Sequence, residues 1–298
     1  MVQAKPFVKW AGGKGSVVEQ LNKLLPIDFD KLEDVTYIEP FVGGGAMLFY
    51  MLNVHRNIRR VVINDINPDL INAYNLVKNN PQLLIDLTSD YQTEYLRRDA
   101  NGKKQLYYQS RARYNEEILD DNQRAALFLF LNHTCYNGLF RVNALGRFNV
   151  PFGRNVSPGL DNPETIMATH QALKSIEITI LSPGDYKRVA SHLSSRGTNF
   201  VYFDPPYRPL SLTSNFKEYS NDPFGDEQQV ELKRFCDKLN RKGCLFMLSN
   251  SDSKNSDGSS YFEALYSDYR ITRIDVPRYI NADGQGRSKI KEILIRNY

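Results

Sequence analysis

The chain has 298 residues, 41% hydrophobic and 24% charged, which is typical of a globular protein with one large α/β domain or two smaller ones. No apolar run approaches the roughly 20 residues of a membrane span, the N-terminus lacks the apolar core of a signal peptide, and the three cysteines and four histidines lack metal-ligand spacing. We therefore expect a cytoplasmic protein without a metal site, and the net charge of +4 permits a polyanionic partner without requiring one.

The first part of the chain contains two strand–turn–helix units. Strands are predicted over residues 35–39 and 60–65, and helices over residues 46–54 and 67–78. Glycines Gly43 to Gly45 separate the first strand from its helix, and Asn67-Pro68 supply an N-cap and a first-turn proline for the second helix. This alternation indicates a parallel sheet.

Residues 80–165 interrupt the alternation. They are helix-rich over 105–132 and then rich in turn-forming residues. Residues 140–142 and 147–150 are predicted to be the arms of a β-hairpin that turns at 143–146. We interpret this segment as an inserted domain, with the catalytic domain formed by residues 1–79 and 166–298.

Basic residues are concentrated in the insertion. Residues 96–113 hold six Lys or Arg against one Asp, and residues 136–154 hold three Arg and no acid. A solvated helix face accounts readily for the first stretch. It accounts less readily for the second, which mixes Arg with Tyr, Phe, Asn and Gly.

Strands and helices alternate again after residue 165. Strands are predicted over 176–181, 199–203, 244–250, 270–276 and 291–296, and helices over 226–240 and 261–266. The last two strands are expected to pair with each other. The sequence therefore predicts a doubly wound, Rossmann-like α/β sheet with one inserted, mainly helical and hairpin-bearing domain.

The first glycine turn has features of a nucleoside site. Glycines between a strand and a helix let a ligand approach the backbone, and Asp65, 20 residues after Gly45, can bind ribose hydroxyls. A dinucleotide fingerprint fails because Leu48 holds its third glycine position, and a phosphate-binding loop near the N-terminus fails because it needs a glycine at Val8. Phosphate-bearing cofactors are thus disfavoured and S-adenosyl-L-methionine fits better, although the glycines could form only a tight turn.

The segment Asp204-Pro205-Pro206-Tyr207 follows the predicted strand at 199–203. A carboxylate and a carbonyl held by the locked φ angles of the prolines can both accept hydrogen bonds from the exocyclic amine of a nucleobase. Such acceptors free an amine lone pair that is otherwise delocalised into the ring. A tyrosine can stack on the base, an interaction worth about 1–3 kcal/mol. These features suit methyl transfer to a base amine, although Asp-Pro-Pro is also a common loop start.

Six segments together resemble the Dam-type, or D12-class, DNA adenine methyltransferases. They are residues 9–14, 39–45, 64–67, 136–139, 148–153 and 204–207. Residues 279–294 are similar to the last hairpin of the family. Any one of these motifs is weak, but their order, with the recognition insertion between the glycine motif and the catalytic motif, is highly specific.

The resemblance implies S-adenosyl-L-methionine as methyl donor, no metal, and a target base flipped out of the duplex. Asp204 and the Pro205 carbonyl would accept from the adenine amine, and Tyr207 would stack on the base. The catalytic residues would be Asp204, Pro205, Pro206 and Tyr207. The cofactor-binding residues would be Trp10, Ala11, Gly12, Lys14, Glu39, Pro40, Phe41, Gly43, Gly45, Asp65 and Asp204. A core tryptophan and a solvated lysine are the alternatives for Trp10 and Lys14.

The resemblance also implies a DNA-binding role for the hairpin region, in the version of the family that reads 5'-GATC-3'. Tyr136 would wedge into the base stack, Asn137 would support the displaced strand, Leu139 and Pro151 would meet thymine methyl groups, Arg141 would read a guanine, and Asn143, Asn149 and Arg154 would hold phosphates. The chain departs from some members at His133-Thr134, in place of an Arg-Tyr pair, and at Asn155, in place of a Tyr.

The resemblance thus predicts a site-specific adenine-N6 methyltransferase that acts on double-stranded DNA, associated with a prokaryotic nucleoid. We expect a monomer, with a separately encoded restriction endonuclease as a compatible partner. The alternatives are a DNA-binding protein with an inactive cofactor site, or a methyltransferase for cytosine N4 or for a protein glutamine. Asp204 argues against the last two, because cytosine enzymes usually have Ser and protein enzymes Asn at this position.

Overall fold

The structure is a computed structural model that describes residues 2–160, 162–210, 224–276 and 290–298. The chain divides into two compact units. The first comprises Met1–Gly15, Val42–Arg56 and Asn64–Gly184, and the second comprises Ser16–Phe41, Asn57–Ile63 and Asp185–Tyr298. The predicted insertion at 80–165 lies within the first unit, and its bounds stay a prediction.

Strands and α-helices alternate along most of the chain. The strands are β1 (Val35–Glu39), β2 (Ile58–Ile63), β3 (Glu177–Ile180), β4 (Asn199–Phe203), β5 (Leu245–Ser251), β6 (Arg270–Val276) and β7 (Ile290–Arg296). The helices are α1 (Val18–Asn22), α2 (Ala46–Val54), α3 (Pro68–Asn79), α4 (Pro81–Leu96), α5 (Ala100–Glu116), α6 (Asp121–Thr134), α7 (Pro163–Lys174), α8 (Asp226–Arg241) and α9 (Tyr261–Leu265). These seven strands and nine α-helices of the described residues confirm the predicted Rossmann-like α/β fold.

Six of the seven strands belong to the second unit and form one sheet. Its strands lie in the order β2-β1-β4-β5-β7-β6. The first four are parallel, and β7 runs antiparallel to both β5 and β6. Along the chain the strand order reverses at β1, and in doubly wound sheets ligands bind outside the carboxyl ends of the strands at such a point. The loops after β1 and β4 leave the sheet there.

The helices of the first unit surround one buried helix. All residues from Ala125 to Asn132 of α6 are buried, because α3, α4 and α5 pack around it. Its N-terminus is capped by Asp120, whose side chain accepts from the N–H groups of Asn122 and Gln123. The run 125–131 is therefore a core helix, as its apolar composition indicates.

Several predicted boundaries shift in the structure. The strand predicted over 60–65 is β2 over Ile58–Ile63, so that Asp65 follows the strand instead of ending it. The helical region predicted at 105–132 is two helices, α5 and α6, and helices α1, α4 and α7 were not predicted. Helix α4 has its own N-cap, since Asn80 accepts from the Leu83 N–H and Pro81 occupies its first turn.

The predicted hairpin at 140–150 is confirmed, since its two arms pair with each other, but neither arm forms a regular strand. Val142 and Phe148 form an isolated antiparallel bridge. The Asn143 N–H donates to the Arg147 carbonyl at 2.9 Å, and the Asn149 N–H donates to the Arg141 carbonyl at 3.0 Å. The ladder is short because the side chain of Asn143 accepts the Leu145 and Arg147 N–H groups and closes the turn.

Candidate active site and nucleic-acid interface

The glycine turn of the first unit is hydrogen-bonded to a buried carboxylate. Gly43 and Gly45 have φ angles of +48° and +75°, which residues with a Cβ rarely adopt. The Gly43 N–H donates to Oδ2 of Asp65, and the Asn67 N–H donates to Oδ1, both at 3.0 Å. Burial raises the pKa of Asp65, and these backbone N–H groups oppose the rise. The Asp65 carboxylate therefore fixes both the turn and the start of α3.

Trp10 packs directly on this turn. A Cβ at Gly43 would lie 2.8 Å from Trp10 Cδ1, and a Cβ at Gly44 would lie 3.1 Å from Trp10 Cβ. The indole also stacks on Phe140, with ring centroids 6.1 Å apart and planes at 17°. The glycines are needed because the indole occupies the space that their side chains would take. The structure thus brings Trp10, the glycines and Asp65 together, and their role in binding a cofactor stays a prediction.

Two residues of the turn region were not predicted from the sequence. Tyr74 of α3 is fully buried, and its hydroxyl donates to the Gly43 carbonyl at 3.1 Å. A Cβ at Gly45 would collide with the same hydroxyl. Ile66, directly after Asp65, is 78% exposed, which is unusual for an isoleucine beside a buried acid. In the sequence, Ile66 is marked only by its place in the Asn64-Asp65-Ile66-Asn67 segment, and Tyr74 only by its place in the predicted helix over 67–78.

Lys14 belongs to the interior of the first unit. Its side chain is buried, and its Nζ donates to the Gly12 carbonyl at 3.3 Å. The alternative of a solvated lysine is therefore wrong. Buried lysines are rare unless they are paired, so Lys14 fits a polar site better than a surface.

In the second unit, the predicted catalytic segment leaves the carboxyl end of β4. Pro205 is buried, Pro206 is exposed, and Asp204 and Tyr207 are half-buried. The Oδ1 atom of Asp204 is itself buried. Glu39 ends the neighbouring strand β1, is 2% exposed, and accepts from the Tyr37 hydroxyl at 2.9 Å. Because β1 and β4 are parallel, the two carboxylates lie at the same edge of the sheet.

Tyr207 is held by the C-terminal strand. Its hydroxyl donates to Oε2 of Glu292 on β7 at 2.9 Å. Burial, followed by the negative charges of Asp204 and Glu292, raises the pKa of Tyr207 well above that of a free phenol. The hydroxyl therefore stays protonated and donates, which fixes the ring. Glu292 lies in the segment 279–294 that resembles the last hairpin of the family, and residues 279–289 of that segment lie outside the described residues.

Phe41 lies in an aromatic cluster of the second unit. Its ring stacks on Tyr186 at 5.1 Å and meets Phe224 edge-on at 5.7 Å. Tyr186 in turn meets Phe235 of α8 edge-on at 5.5 Å. Phe41 therefore follows β1 and packs against an apolar wall, which suits an aliphatic part of a ligand more than a charged one.

The hairpin of the first unit is supported from α5. Asn115 accepts the Phe148 N–H at 2.8 Å and donates to the Phe148 carbonyl at 3.0 Å, so its amide substitutes for a neighbouring strand. Tyr107 and Arg111 both donate to the Val150 carbonyl, at 2.7 and 3.1 Å. These three residues of α5 were not predicted from the sequence. They hold the return arm of the hairpin from behind.

The predicted DNA-reading side chains lie on the exposed side of this support. Arg141 is exposed, and its Nε donates to Oδ1 of Asn149 at 2.8 Å. Asn143, Pro151 and Arg154 are also exposed. The structure thus places Arg141 beside Asn149, whereas the Oδ1 atom of Asn143 is used to close the turn.

The Tyr136 turn is joined to the hairpin by backbone bonds. The Tyr136 N–H donates to the Pro151 carbonyl at 2.9 Å, and the Gly153 N–H donates to the Thr134 carbonyl at 2.8 Å. Tyr136 is 53% exposed, and Asn137 has a φ of +53°. A tyrosine that is exposed beside a left-handed asparagine is presented to solvent by a rigid turn. Tyr136 is therefore bonded to Pro151, and the Leu139 N–H closes the turn on the Tyr136 carbonyl at 3.2 Å. The DNA contacts that the resemblance implies for these residues stay predictions.

Asn132 anchors this turn to the N-terminal segment. Its Oδ1 accepts the Lys9 N–H at 2.8 Å, and its Nδ2 donates to the carbonyls of Lys9 and Gly138 at 2.8 and 3.2 Å. The side chain is 1% exposed. A Cβ at Gly138 would collide with the Lys9 side chain. This anchor was not predicted, because its partners are 123 residues apart in the chain.

The two departures from the family pattern pack against each other. The ring nitrogens of His133 lie 3.2 Å from the Phe7 and Pro158 carbonyl oxygens. The Nδ2 of Asn155 donates to the His133 carbonyl at 2.6 Å, and its own carbonyl accepts from the Tyr95 hydroxyl. Burial lowers the pKa of His133. His133 is therefore a neutral, half-buried residue and not a phosphate-binding cation.

None of the helices in the described part of the chain is long and apolar enough to cross a membrane.

Comparison with known proteins identifies relatives along the whole sequence. The chain is 41% identical to a Type II methyltransferase, M.MjaIII, of Methanocaldococcus jannaschii, with all of both chains covered. It is 35% identical to Type II methyltransferase M1.LlaDCHI of Lactococcus lactis, covering all of this chain and 96% of the relative.

It is also 32% identical to the DNA adenine methylase of Escherichia coli K12, covering 99% of this chain and 95% of the relative. A family model for the D12 class N6 adenine-specific DNA methyltransferases matches residues 10–280. That range includes the glycine turn, the hairpin and the Asp204–Tyr207 segment. The similarity at full length and the family match lead to one conclusion: the chain belongs to the D12 class of N6 adenine-specific DNA methyltransferases.

Proposed function

We propose that this DNA adenine methyltransferase uses S-adenosyl-L-methionine to methylate the 6-amino group of the adenine in 5'-GATC-3', after flipping that base out of the duplex. The observation that carries the proposal is the Asp204–Tyr207 segment. It combines a carboxylate with a buried oxygen, two prolines and a ring fixed through Glu292, all at the carboxyl end of β4. These are the groups that an exocyclic amine and a purine face require.

The residues of the first unit fit the proposed donor. Asp65 provides an acid beside a turn of left-handed glycines, where a ligand can approach the backbone closely. Exposed Ile66 offers an apolar surface for an adenine ring, and buried Lys14 offers a charge for the amino-acid part of the donor. We propose that Trp10, Ala11 and Gly12 contribute further contacts to the donor. S-adenosyl-L-methionine, when bound, supplies an electrophilic methyl group on a sulfonium. We also propose donor contacts for Glu39, Pro40, Phe41 and Asp204.

The chemistry asked of the chain is positioning and hydrogen-bond acceptance. Asp204 and the Pro205 carbonyl accept the two hydrogens of the adenine amine, which localises the nitrogen lone pair. A bond then forms from that nitrogen to the methyl carbon as the carbon–sulfur bond breaks. The electron pair of the broken bond stays on the sulfur, which leaves as a neutral thioether, and the methylated amine releases a proton to solvent. Tyr207 stacks on the flipped base, which compensates about 1–3 kcal/mol of the cost of unstacking.

The hairpin region of the first unit supports site-specific binding. In our proposal Tyr136 fills the gap left by the flipped base and Asn137 supports the displaced strand. Arg141 reads a guanine, and Leu139 and Pro151 meet thymine methyl groups. Asn143, Asn149 and Arg154 contact phosphates, which position the protein without specifying a sequence. We assign residues 80–165 to this recognition domain and residues 1–79 and 166–298 to the catalytic domain.

The chain is proposed to act as a monomer. Two relatives are named Type II methyltransferases, which makes a separately encoded restriction endonuclease a reasonable partner to look for. Other relatives are named DNA adenine methylase, with no restriction type in the name, and a solitary enzyme is the alternative proposal. The two are distinguished by adding extract of the source cells to DNA that this protein has methylated and to the same DNA left unmethylated. Cleavage of the unmethylated DNA alone indicates a partner endonuclease, and cleavage of neither indicates a solitary enzyme.

The test is to incubate the protein with methyl-labelled S-adenosyl-L-methionine and unmethylated plasmid, and then to map the modified base and its sequence context. We expect N6-methyladenine within GATC. Asp204→Ala should still bind duplex but lose methyl transfer by about 100-fold or more, as when one preorganised polar group is removed from an active site. Retained turnover in that variant would falsify the assignment of Asp204, and label on cytosine or on protein would overturn the proposed function.

A further inference from the structure

We propose that a buried amide pair, Gln229 and Asn250, positions Tyr207 for stacking on the flipped base by fixing both peptide planes on either side of it. This inference rests on the proposed function, because it concerns the ring that we assign to the target adenine. Gln229 and Asn250 are therefore positioning residues: they contact the catalytic segment and not the base. All the contacts involved lie within the second unit.

The first anchor comes from helix α8. The side chain of Gln229 is 0% exposed, and its Nε2 donates to the Pro206 carbonyl at 3.1 Å. That carbonyl belongs to the peptide plane between Pro206 and Tyr207. Since the φ of Pro206 is locked by its ring, fixing the carbonyl leaves this plane little freedom.

The second anchor comes from strand β5. The side chain of Asn250 is also 0% exposed, and its Oδ1 accepts the Arg208 N–H at 3.2 Å. That N–H belongs to the peptide plane between Tyr207 and Arg208. The two planes meet at the Cα of Tyr207, so the two anchors together set its φ and ψ and hence the direction of its side chain.

The two anchors are joined to each other. The Nδ2 of Asn250 donates to Oε1 of Gln229 at 3.2 Å. Each amide thus uses its donor and its acceptor in a single chain of bonds that runs from the Pro206 carbonyl to the Arg208 N–H. Buried polar groups need partners of this kind, and a chain in which each group is satisfied specifies one geometry.

The end of the segment is fixed as well. Arg208 is 3% exposed, donates through Nε to Oδ1 of Asp226 at 2.7 Å, and lies 4.1 Å above the ring of Tyr261. Its carbonyl accepts from the hydroxyl of Ser251, the residue after Asn250. With the Tyr207 hydroxyl bound to Glu292, the ring is fixed at its backbone and at its tip. The amide pair is the part of this support that acts on the backbone.

The test is a double-variant cycle read by single-turnover methylation of a GATC duplex at saturating protein and donor. Gln229→Met removes both hydrogen-bonding groups at nearly constant volume and should slow methylation about tenfold or more, the cost of a small misplacement of a reacting group. In a Tyr207→Ala background there is no ring to position, so Gln229→Met should slow the reaction further by less than about twofold. Equal slowing in both backgrounds would overturn the proposal.

Asn199→Ala is the matched control. Its amide also bonds backbone atoms, the N–H and carbonyl of Ser194 at 2.8 and 2.9 Å, but at the amino end of β4. It should lower thermal stability and leave the single-turnover rate of folded protein unchanged. If Asn199→Ala slows methylation as much as Gln229→Met, the effect is one of stability and the proposal fails.

Hydrogen exchange provides a readout that needs no turnover. Amide exchange in a peptide covering residues 204–210 of the substrate-free protein should be about fivefold faster or more in Gln229→Met, and unchanged in Asn199→Ala. Unchanged exchange in Gln229→Met overturns the amide pair whatever the activity. If Tyr207→Ala methylates the duplex as fast as the unsubstituted protein does, or if the unsubstituted protein does not methylate adenine, the proposed function is overturned instead. Asn250→Ser, which shortens the other anchor, gives the same comparison if Gln229→Met does not fold.

Discussion

Replacing Arg141 with alanine should relax sequence selectivity without disturbing the fold. Arg141 is exposed, and its Nε–H donates to the Asn149 amide oxygen at 2.8 Å, which orients the guanidinium on the hairpin. In the proposed mode the two Nη groups then make the bidentate contact to a guanine, worth about 1–3 kcal/mol of discrimination. At 1.36 kcal/mol for each factor of ten, this predicts a fall in selectivity of about 5- to 160-fold.

The assay compares kcat/KM on a duplex containing GATC with duplexes in which the outer G·C pair is replaced. Loss of an exposed side chain should change the free energy of unfolding by less than about 0.5 kcal/mol, so variants can be compared at equal folded concentration. Arg147→Ala is the control, because Arg147 is an exposed arginine of the same hairpin with no assigned base. It should weaken all duplexes alike. A uniform loss in Arg141→Ala would make Arg141 a phosphate contact and refute the reasoning.

Three further predictions test the supports of the two regions. Gly45→Ala should lower the free energy of unfolding in urea by about 2–4 kcal/mol, because the new Cβ meets both a left-handed φ and a collision with the Tyr74 hydroxyl. Gly159→Ala is the control: its φ is +64° but the space around it is open, so it should lower the free energy of unfolding by only about 1–2 kcal/mol. Equal losses in the two variants would contradict the collision. Asn115→Ala should weaken duplex binding by about 1–3 kcal/mol in an anisotropy titration, because the hairpin loses both side-chain hydrogen bonds to Phe148. Donor binding, measured by calorimetry, should be unchanged. An equal loss in donor binding would mean that the variant is generally unfolded. Because burial lowers the pKa of His133, the unfolded chain binds protons first as the pH falls below about 6.5, so the free energy of unfolding should fall from there toward the lower folded pKa and level off beyond it. Urea unfolding from pH 7.5 to 5 should show this fall in the parent and less of it in His133→Gln, and parallel curves would exclude His133 as its source.

The amino-acid sequence predicted the local elements of the catalytic sheet closely. Strands β1 and β4 begin and end where their β-branched and aromatic runs do, and helix α3 starts at the Asn67-Pro68 signal. Such signals are local, since a strand or a cap depends on a few consecutive residues. Helix α4 was missed because its sequence is polar and gives little local signal for a helix. The helix is stabilised by packing on α6, which the sequence does not show.

The functional segments were also within reach of the sequence, since each is a short run with a chemical purpose. The order of the glycine turn, the hairpin and the Asp204–Tyr207 segment identified the family, which the full-length similarity confirms. Asp65 and Tyr207 could be proposed because their side-chain chemistry suits a ribose and a base face, and Arg141 because the hairpin resembles that of the family.

The residues that hold those groups in place were decided only by the tertiary structure. Asn132 meets Lys9 across 123 residues, Glu292 meets Tyr207 across 85, and Gln229 meets Pro206 across 23. An amide or a carboxylate in a sequence carries no mark of its partner, because the same side chain can be solvated, cap a helix or bind a distant backbone. Only when the chain folds do burial and the loss of water force each of these groups to find a particular partner.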